Sequence, residues 1–327
     1  MYLLLLLLLQ DLFLLIDLCP FLESDKAKYD DDAVLSILNK HPAAACQKCR
    51  WRCGIGEAYP LAIVIALGGS LEVVQLLVEA CPEALEQKLS GRRSVLHYAL
   101  AEGAERSIIQ YLTSKNPNLV KELDSFNAIP LHLAATYPSS SLSVLKHLIT
   151  IYPEGSKAID HKSQCPLHRA CRSRASIEKV QALIEACPEV LFREDWLKTT
   201  PLGWAERLDY RLSDSIPEVV ELLEKMETML TVKSYGDEDK YRAEHTLLYL
   251  RTINFRGGIR VAFEQNIHLV SLLDLRLELM PKLLTLFTKS DTDDNSEIEE
   301  GSIESLFSVL VQCPDIVSSA GEQSICK

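Results

Sequence analysis

The sequence predicts an all-α chain of stacked helix–turn–helix units, and three patterns carry that prediction. The first is a period: Leu61, Leu96, Leu131, Leu167 and Leu202 recur in related contexts, separated by 35, 35, 36 and 35 residues. A fixed period of this size marks a solenoid, because each unit leaves an apolar face that only a neighbouring unit buries. The second pattern is a helix that stops at proline, with apolar residues eight, five and four positions before it. Val74, Leu77 and Val78 precede Pro82 in this way, as do Val34, Ile37 and Leu38 before Pro42, and Val180, Leu183 and Ile184 before Pro188. That spacing sets three side chains on one helical face. Proline also disfavours α geometry in the residue before it, so the helices are expected to end at Cys19, His41, Cys81, Asn116, Tyr152 and Cys187. The third pattern is a turn leading into each leucine. In Asp124–Ala135 the Asp124 side chain can bond its own downstream backbone, Asn127 tolerates a left-handed conformation, and Pro130 suits a first helical position.

These residues resemble the ankyrin repeat, whose signature is Thr-Pro-Leu-His-x-Ala after a turn opened by aspartate. The third repeat (Pro130-Leu-His-Leu-Ala134) and the fourth (Pro166-Leu-His-Arg-Ala170) match best, with Asp124 and Asp160 opening their turns. The fifth keeps Asp195 and Thr200-Pro201-Leu202 but has Gly203 in place of histidine, and the first departs furthest. The resemblance covers about residues 30–230 and implies about five repeats followed by a C-terminal helical segment. It also implies a concave face of turns and first helices that binds partner proteins; an enzyme with an unrecognised site is a further alternative reading. Carried over residue by residue, it places Arg93, Phe126, His161, Lys162 and Trp196 at turn tips, and Tyr137, Arg172 and Arg207 at exposed ends of first helices. Trp, Tyr and Arg are the types that dominate binding energy at interfaces. His97, His132 and His168 recur at one place in the repeat, which argues for a structural role, since catalysis needs a residue once. In the family this histidine bonds the residue opening the helix. Ser94 offers a matching hydroxyl, whereas Ile129 and Cys165 depart from the pattern.

Residues 1–29 form a hydrophobic leader. Leu3–Leu9 and Leu12–Ile16 are apolar, but no basic residue precedes Lys26, and Gln10, Asp11 and Asp17 interrupt the run. A secretory leader should begin basic, and a spanning helix needs about 20 apolar residues. Leu12, Leu15 and Ile16 instead repeat the spacing before Pro20, so the leader reads as the second helix of a truncated repeat. Membrane anchoring by this segment is the alternative reading.

Residues 30–230 form the array. Five extra residues lie between Pro42 and Leu61 compared with Pro82 and Leu96, and they bring Cys46, Cys49 and Cys53 close in sequence, near His41. Thiolate and imidazole ligands suit zinc, but no second Cys-x-x-Cys pair closes such a site, so an exposed basic loop of free thiols is expected, with no metal. The fifth repeat carries an insertion at Arg207–Ser215 before a helix over Pro217–Met229. Residues 231–327 begin with the polar stretch Thr231–Lys240 and continue as helical segments, with Gly257-Gly258 as the clearest break. Ser302–Pro314 returns to the proline-terminated spacing of Ser176–Pro188. Residues 289–301 read as an acidic linker. They partly resemble an EF-hand loop, but Ser296 replaces its glycine and Ser302 its bidentate glutamate.

Composition narrows the function. The net charge of −12 argues against general nucleic-acid binding, which needs basic surface to displace phosphate counterions. The ten cysteines lack the spacing of a small secreted disulfide framework, so a cytoplasmic or nucleocytoplasmic protein with reduced thiols is expected. There is no phosphate-binding loop, nucleophile elbow or His-Glu-x-x-His motif, and no cofactor is expected. From Lys157 to Arg211, ten Lys and Arg face eight Asp and Glu, against the acidic balance of the whole. The expectation is a scaffold or adaptor whose partner presents an acidic or phosphorylated segment.

Overall fold

The computed structural model describes residues 12–13, 15–19, 22–51, 56–207, 217–232, 236–266 and 269. Its described residues are predominantly helical, with one short two-stranded sheet. Leu3–Leu9, Cys53, most of the Arg207–Ser215 insertion, the 289–301 linker and Ser302–Pro314 lie outside them.

Two compact units are present, one comprising Met1–Ala186 with Glu194–Pro201 and the other Cys187–Arg193 with Leu202–Lys327. In the first, three periods of the sequence each become a short helix, a ten-residue helix and a five-residue 3₁₀ turn opened by proline, and a fourth contributes its two helices. The short helices are Pro60–Leu67, Val95–Ala101, Pro130–Thr136 and Pro166–Arg172. Their longer partners are Leu71–Ala80, Arg106–Lys115, Leu142–Ile151 and Ile177–Ala186. Short helices pack on short helices of the next period and long on long. An earlier helix, Asp31–Lys40, packs on Leu71–Ala80 as a further long helix.

The proline-terminated spacing predicts which side chains are buried. Val74, Leu77 and Val78 are inside, as are Val180, Leu183 and Ile184, while Val34 and Leu38 are buried with Ile37 at their edge. Leu12 and Ile16 are also fully buried. Each fully buried leucine or isoleucine contributes on the order of 2 kcal/mol. His41, Cys81 and Tyr152, each before a proline, take φ near −140° and end their helices by donating to the carbonyl four residues back.

Two local expectations change. The insertion after Pro42 is no simple loop: Cys49–Trp51 pairs antiparallel with Gly56–Ala58, Cys49 opposite Ala58. Gln87 clips this hairpin to the next repeat, its side chain accepting from the Tyr59 N–H (2.9 Å) and donating to the Glu57 carbonyl (2.9 Å). In the second unit, Gly257-Gly258 is no break but lies in the first turn of helix Arg256–Gln265. The chain turns earlier, at Asn254 with φ +52°, and Gly258 lacks a side chain because a Cβ there would collide with the Phe255 ring.

The second unit packs helices Pro217–Thr231, Asp237–Thr252 and Arg256–Gln265 around Leu222, Leu223, Met226, Leu250, Ile259 and Phe263. Asp237, Glu238 and Asp239 favour a helix start by opposing the positive end of its dipole. Hence part of the Thr231–Lys240 stretch, polar as it is, becomes helix. Asn266 donates to the Met229 and Val232 carbonyls (2.9 and 2.8 Å), capping the end of the Pro217–Thr231 helix.

Candidate partner-binding face

The turn before each short helix is built around one carboxylate. Asp124 Oδ1 accepts from the backbone N–H groups of Phe126 (2.8 Å) and Ala128 (2.9 Å), and Asp124 N–H donates to the Ala128 carbonyl. Asp160 does the same with Lys162 and Gln164, and Asp195 with Leu197 and Thr199. In each loop the residue before the last takes a left-handed conformation: Asn127 at φ +54°, Ser163 at +56° and Lys198 at +58°. The second repeat has Leu89 where the third, fourth and fifth have aspartate, keeps the Leu89 N–H to Arg93 carbonyl bond, and reaches the turn through Gly91 and Arg92 at positive φ.

These tips are then joined in series. Ser125 N–H donates to the Gly91 carbonyl (2.7 Å), His161 N–H to that of Phe126 (2.9 Å), and Trp196 N–H to that of Lys162 (3.1 Å). One backbone bond per step fixes the spacing of the tips, so their side chains are presented from a rigid row.

Beneath the row runs a second ladder. The Ser94, Ile129 and Cys165 N–H groups donate to Nδ1 of His97, His132 and His168 respectively (3.2, 3.3 and 3.3 Å). An accepting Nδ1 leaves the proton on Nε2, and His97 and His132 donate it to the carbonyls of Ala128 (3.1 Å) and Gln164 (3.0 Å) in the following turns. Ile129 and Cys165 therefore depart from the sequence pattern without losing its bond, because the backbone N–H supplies the donor. Burial lowers the pKa of both histidines, that of His132 to about 4, with the Arg169 charge acting in the same direction. Neutral imidazoles, with Nδ1 bonded inside their own repeat and Nε2 bonded to the next, serve as rivets.

The turn carboxylates differ in their second oxygen. Arg169 donates to Asp160 Oδ2 through Nε (2.9 Å) and Nη2 (2.6 Å), and Gln164 Nε2 donates to Asp195 Oδ2 (2.8 Å). Burial acts to raise the Asp160 pKa, but the bonds from Arg169 and the backbone hold it below the ordinary value.

Five of the eight residues singled out by sequence fall on or beside the row. Phe126 and Trp196 are 50% and 61% exposed, and the Phe126 ring lies 5.2 Å from that of the exposed His161. Lys162 and Arg93 are half-buried at neighbouring tips. Tyr137 is half-buried at the end of its short helix, where its carbonyl accepts from the buried Lys179 Nζ (2.9 Å). Arg172 is exposed in the last turn of Pro166–Arg172. Arg207 belongs to the second unit, where its guanidinium lies over the Trp204 ring at 5.0 Å. Sequence reasoning passed over Leu123, Ile159 and Leu197, which are exposed beside these tips. An apolar residue directly before the turn aspartate, as at Leu123 and Ile159, was the available signal.

No known family model and no curated protein matches the sequence. Among the described residues, no helix is long and apolar enough to cross a membrane.

Proposed function

We infer that the chain is a protein-interaction module of the ankyrin-like solenoid type, binding its partner over the row of turn tips and the adjoining ends of the short helices. The observation that carries this reading is the coupling of exposed Phe126 and Trp196 to a backbone-bonded row of tips. Large apolar side chains held in the open by rigid backbone lose little conformational entropy on binding, which is what makes aromatic residues effective anchors. The repeating helix pairs, carboxylate-centred turns and histidine rivets are the features that favour the ankyrin-like assignment.

The partner is an acidic or phosphorylated segment of another protein. His161 and Lys162 flank the anchors, and Arg93, Lys198 and Arg172 extend the basic character in a chain whose net charge is −12. A scaffold is favoured over an enzyme because the buried histidines, the obvious acid–base candidates, have their ring nitrogens committed to backbone bonds.

The test is an affinity pull-down from the native cell with the intact chain and a Phe126→Ala/Lys162→Ala/Trp196→Ala variant of equal helical content. Partners that bind the intact chain are expected to be lost from the variant, and their binding to weaken with salt. Retention of the same partners by the variant would refute this reading.

A further inference from the structure

We propose that Cys46, Cys81 and Glu83 form a binding site for a thiophilic divalent cation, of which zinc is the ordinary representative, joining the start of the array to its next repeat. The metal-binding atoms of these three residues all lie within 4.8 Å of one another. Cys81 is fully buried, Cys46 half-buried and Glu83 exposed, so the group runs from the core to solvent. Tetrahedral zinc with bonds of about 2.3 Å to sulfur brings two thiolates about 3.8 Å apart. The three donors thus need at most a small inward adjustment.

The donor set is matched to the ion. Two thiolates select zinc and its soft neighbours over magnesium or calcium, and one carboxylate completes a three-ligand set with a fourth position left for water. Tyr59 OH lies 3.5 Å from Glu83 Oε1 and orients that carboxylate from outside. The cysteine spacing in sequence pointed elsewhere, to Cys46 with Cys49 and Cys53. The hairpin separates the first two: the Cys49 thiol faces the Ala58 carbonyl at 3.6 Å, whereas the Cys46 thiol faces Ala80 at 3.3 Å, beside Cys81.

The position also supplies a structural reason. The second, third and fourth repeats carry the histidine after their periodic leucine, and His97 and His132 rivet their repeats to the next turn. The first repeat has Ala62 at that place, so the same rivet is missing where its periodic leucine is Leu61. Cys46 closes the 3₁₀ turn after helix Asp31–Lys40, and Cys81 ends helix Leu71–Ala80 one long helix further on. A cation held between them ties successive long helices together near that junction.

The full chain, purified without chelators under reducing conditions, is expected to contain one zinc per molecule by elemental mass spectrometry. Replacing zinc with cobalt should give a thiolate-to-metal charge-transfer band. That band is expected to disappear in Cys46→Ser and in Cys81→Ser, to weaken in the exposed-site variant Glu83→Ala, and to remain in Cys49→Ser. Glu83→Ala keeps the test decisive if the buried Cys81→Ser variant does not fold. A wild-type chain with neither stoichiometric zinc nor a cobalt band would overturn the proposal. So would a band lost in Cys49→Ser but kept in Cys81→Ser.

Discussion

Replacing His132 with leucine tests the riveting account most sharply, because two effects of different origin can be read from one variant. At neutral pH the imidazole takes the Ile129 N–H and donates to the Gln164 carbonyl in the next turn. Leucine fills similar volume but leaves the buried N–H without this acceptor, while the carbonyl keeps its bond from Asp160 N–H. An orphaned buried donor costs about 1–3 kcal/mol and the lost second bond about 1 kcal/mol, so the variant should be less stable by roughly 2–4 kcal/mol. The pH dependence then separates the imidazole from simple packing. The folded-state pKa of His132 is depressed to about 4 against an ordinary 6.5, so between these values the unfolded chain binds a proton that the folded chain refuses. The stability this group contributes is therefore complete above about 6.5 and is lost as pH falls towards about 4, by roughly 3 kcal/mol. Urea unfolding followed by circular dichroism, on both proteins from neutral to mildly acidic pH, measures the gap. The gap should be widest at neutral pH and shrink towards acid. A gap that stays constant across the range, or is under about 0.5 kcal/mol at neutral pH, would show that His132 is not a rivet.

Two further changes probe the turns. Asp124→Ala removes the acceptor for the Phe126 and Ala128 N–H groups and should cost about 2–4 kcal/mol, whereas Asp124→Asn, which keeps an oxygen there, should cost less; equal midpoints in urea for the two variants would refute the role of Oδ1. Gly103→Ala forces a side chain onto a residue at φ +75°, with its Cβ 2.8 Å from that of Ser139 and 3.1 Å from the Ser139 carbonyl oxygen. It should lower stability by about 1–3 kcal/mol, and a thermal midpoint unchanged from the parent would contradict the close approach.

Much of this arrangement is written locally. The period of the leucines, the apolar triplets before proline and the turn aspartates are short-range patterns, and each maps onto the helix, helix end or turn expected of it. Asn127 is a case in point, since a single side chain tolerant of positive φ announces the loop geometry. The features that escaped sequence reading depend on partners a repeat or more away. Gln87 holds the Cys49–Ala58 hairpin from about 30 residues distant, and strands of three residues carry too little alternation to be read. Gly257-Gly258 looks like a break on propensity alone, but packing against Phe255 makes a small residue the requirement within a helix. Lys179 is buried and donates to the Ala134 and Tyr137 carbonyls, a role that nothing in its own neighbourhood foretells. The pairing of Cys46 with Cys81 likewise follows from stacking, not from cysteine spacing.

The candidate face shows the same division. Phe126, His161, Lys162 and Trp196 could be placed at turn tips because the period sets the register in which the ankyrin resemblance is carried over. That their backbones join into one row, and that Leu123, Ile159 and Leu197 are exposed beside them, required the three-dimensional arrangement.

The most direct measurement of the central claim is site-specific photo-crosslinking in the native cell, with a photoreactive aromatic residue placed singly at Trp196, at Phe126, or at the exposed Ile151 on a long helix. If the tip row is the partner-binding face, Trp196 and Phe126 should trap the same protein and Ile151 should not. Trapping of that protein from Ile151 but from neither tip would contradict the account.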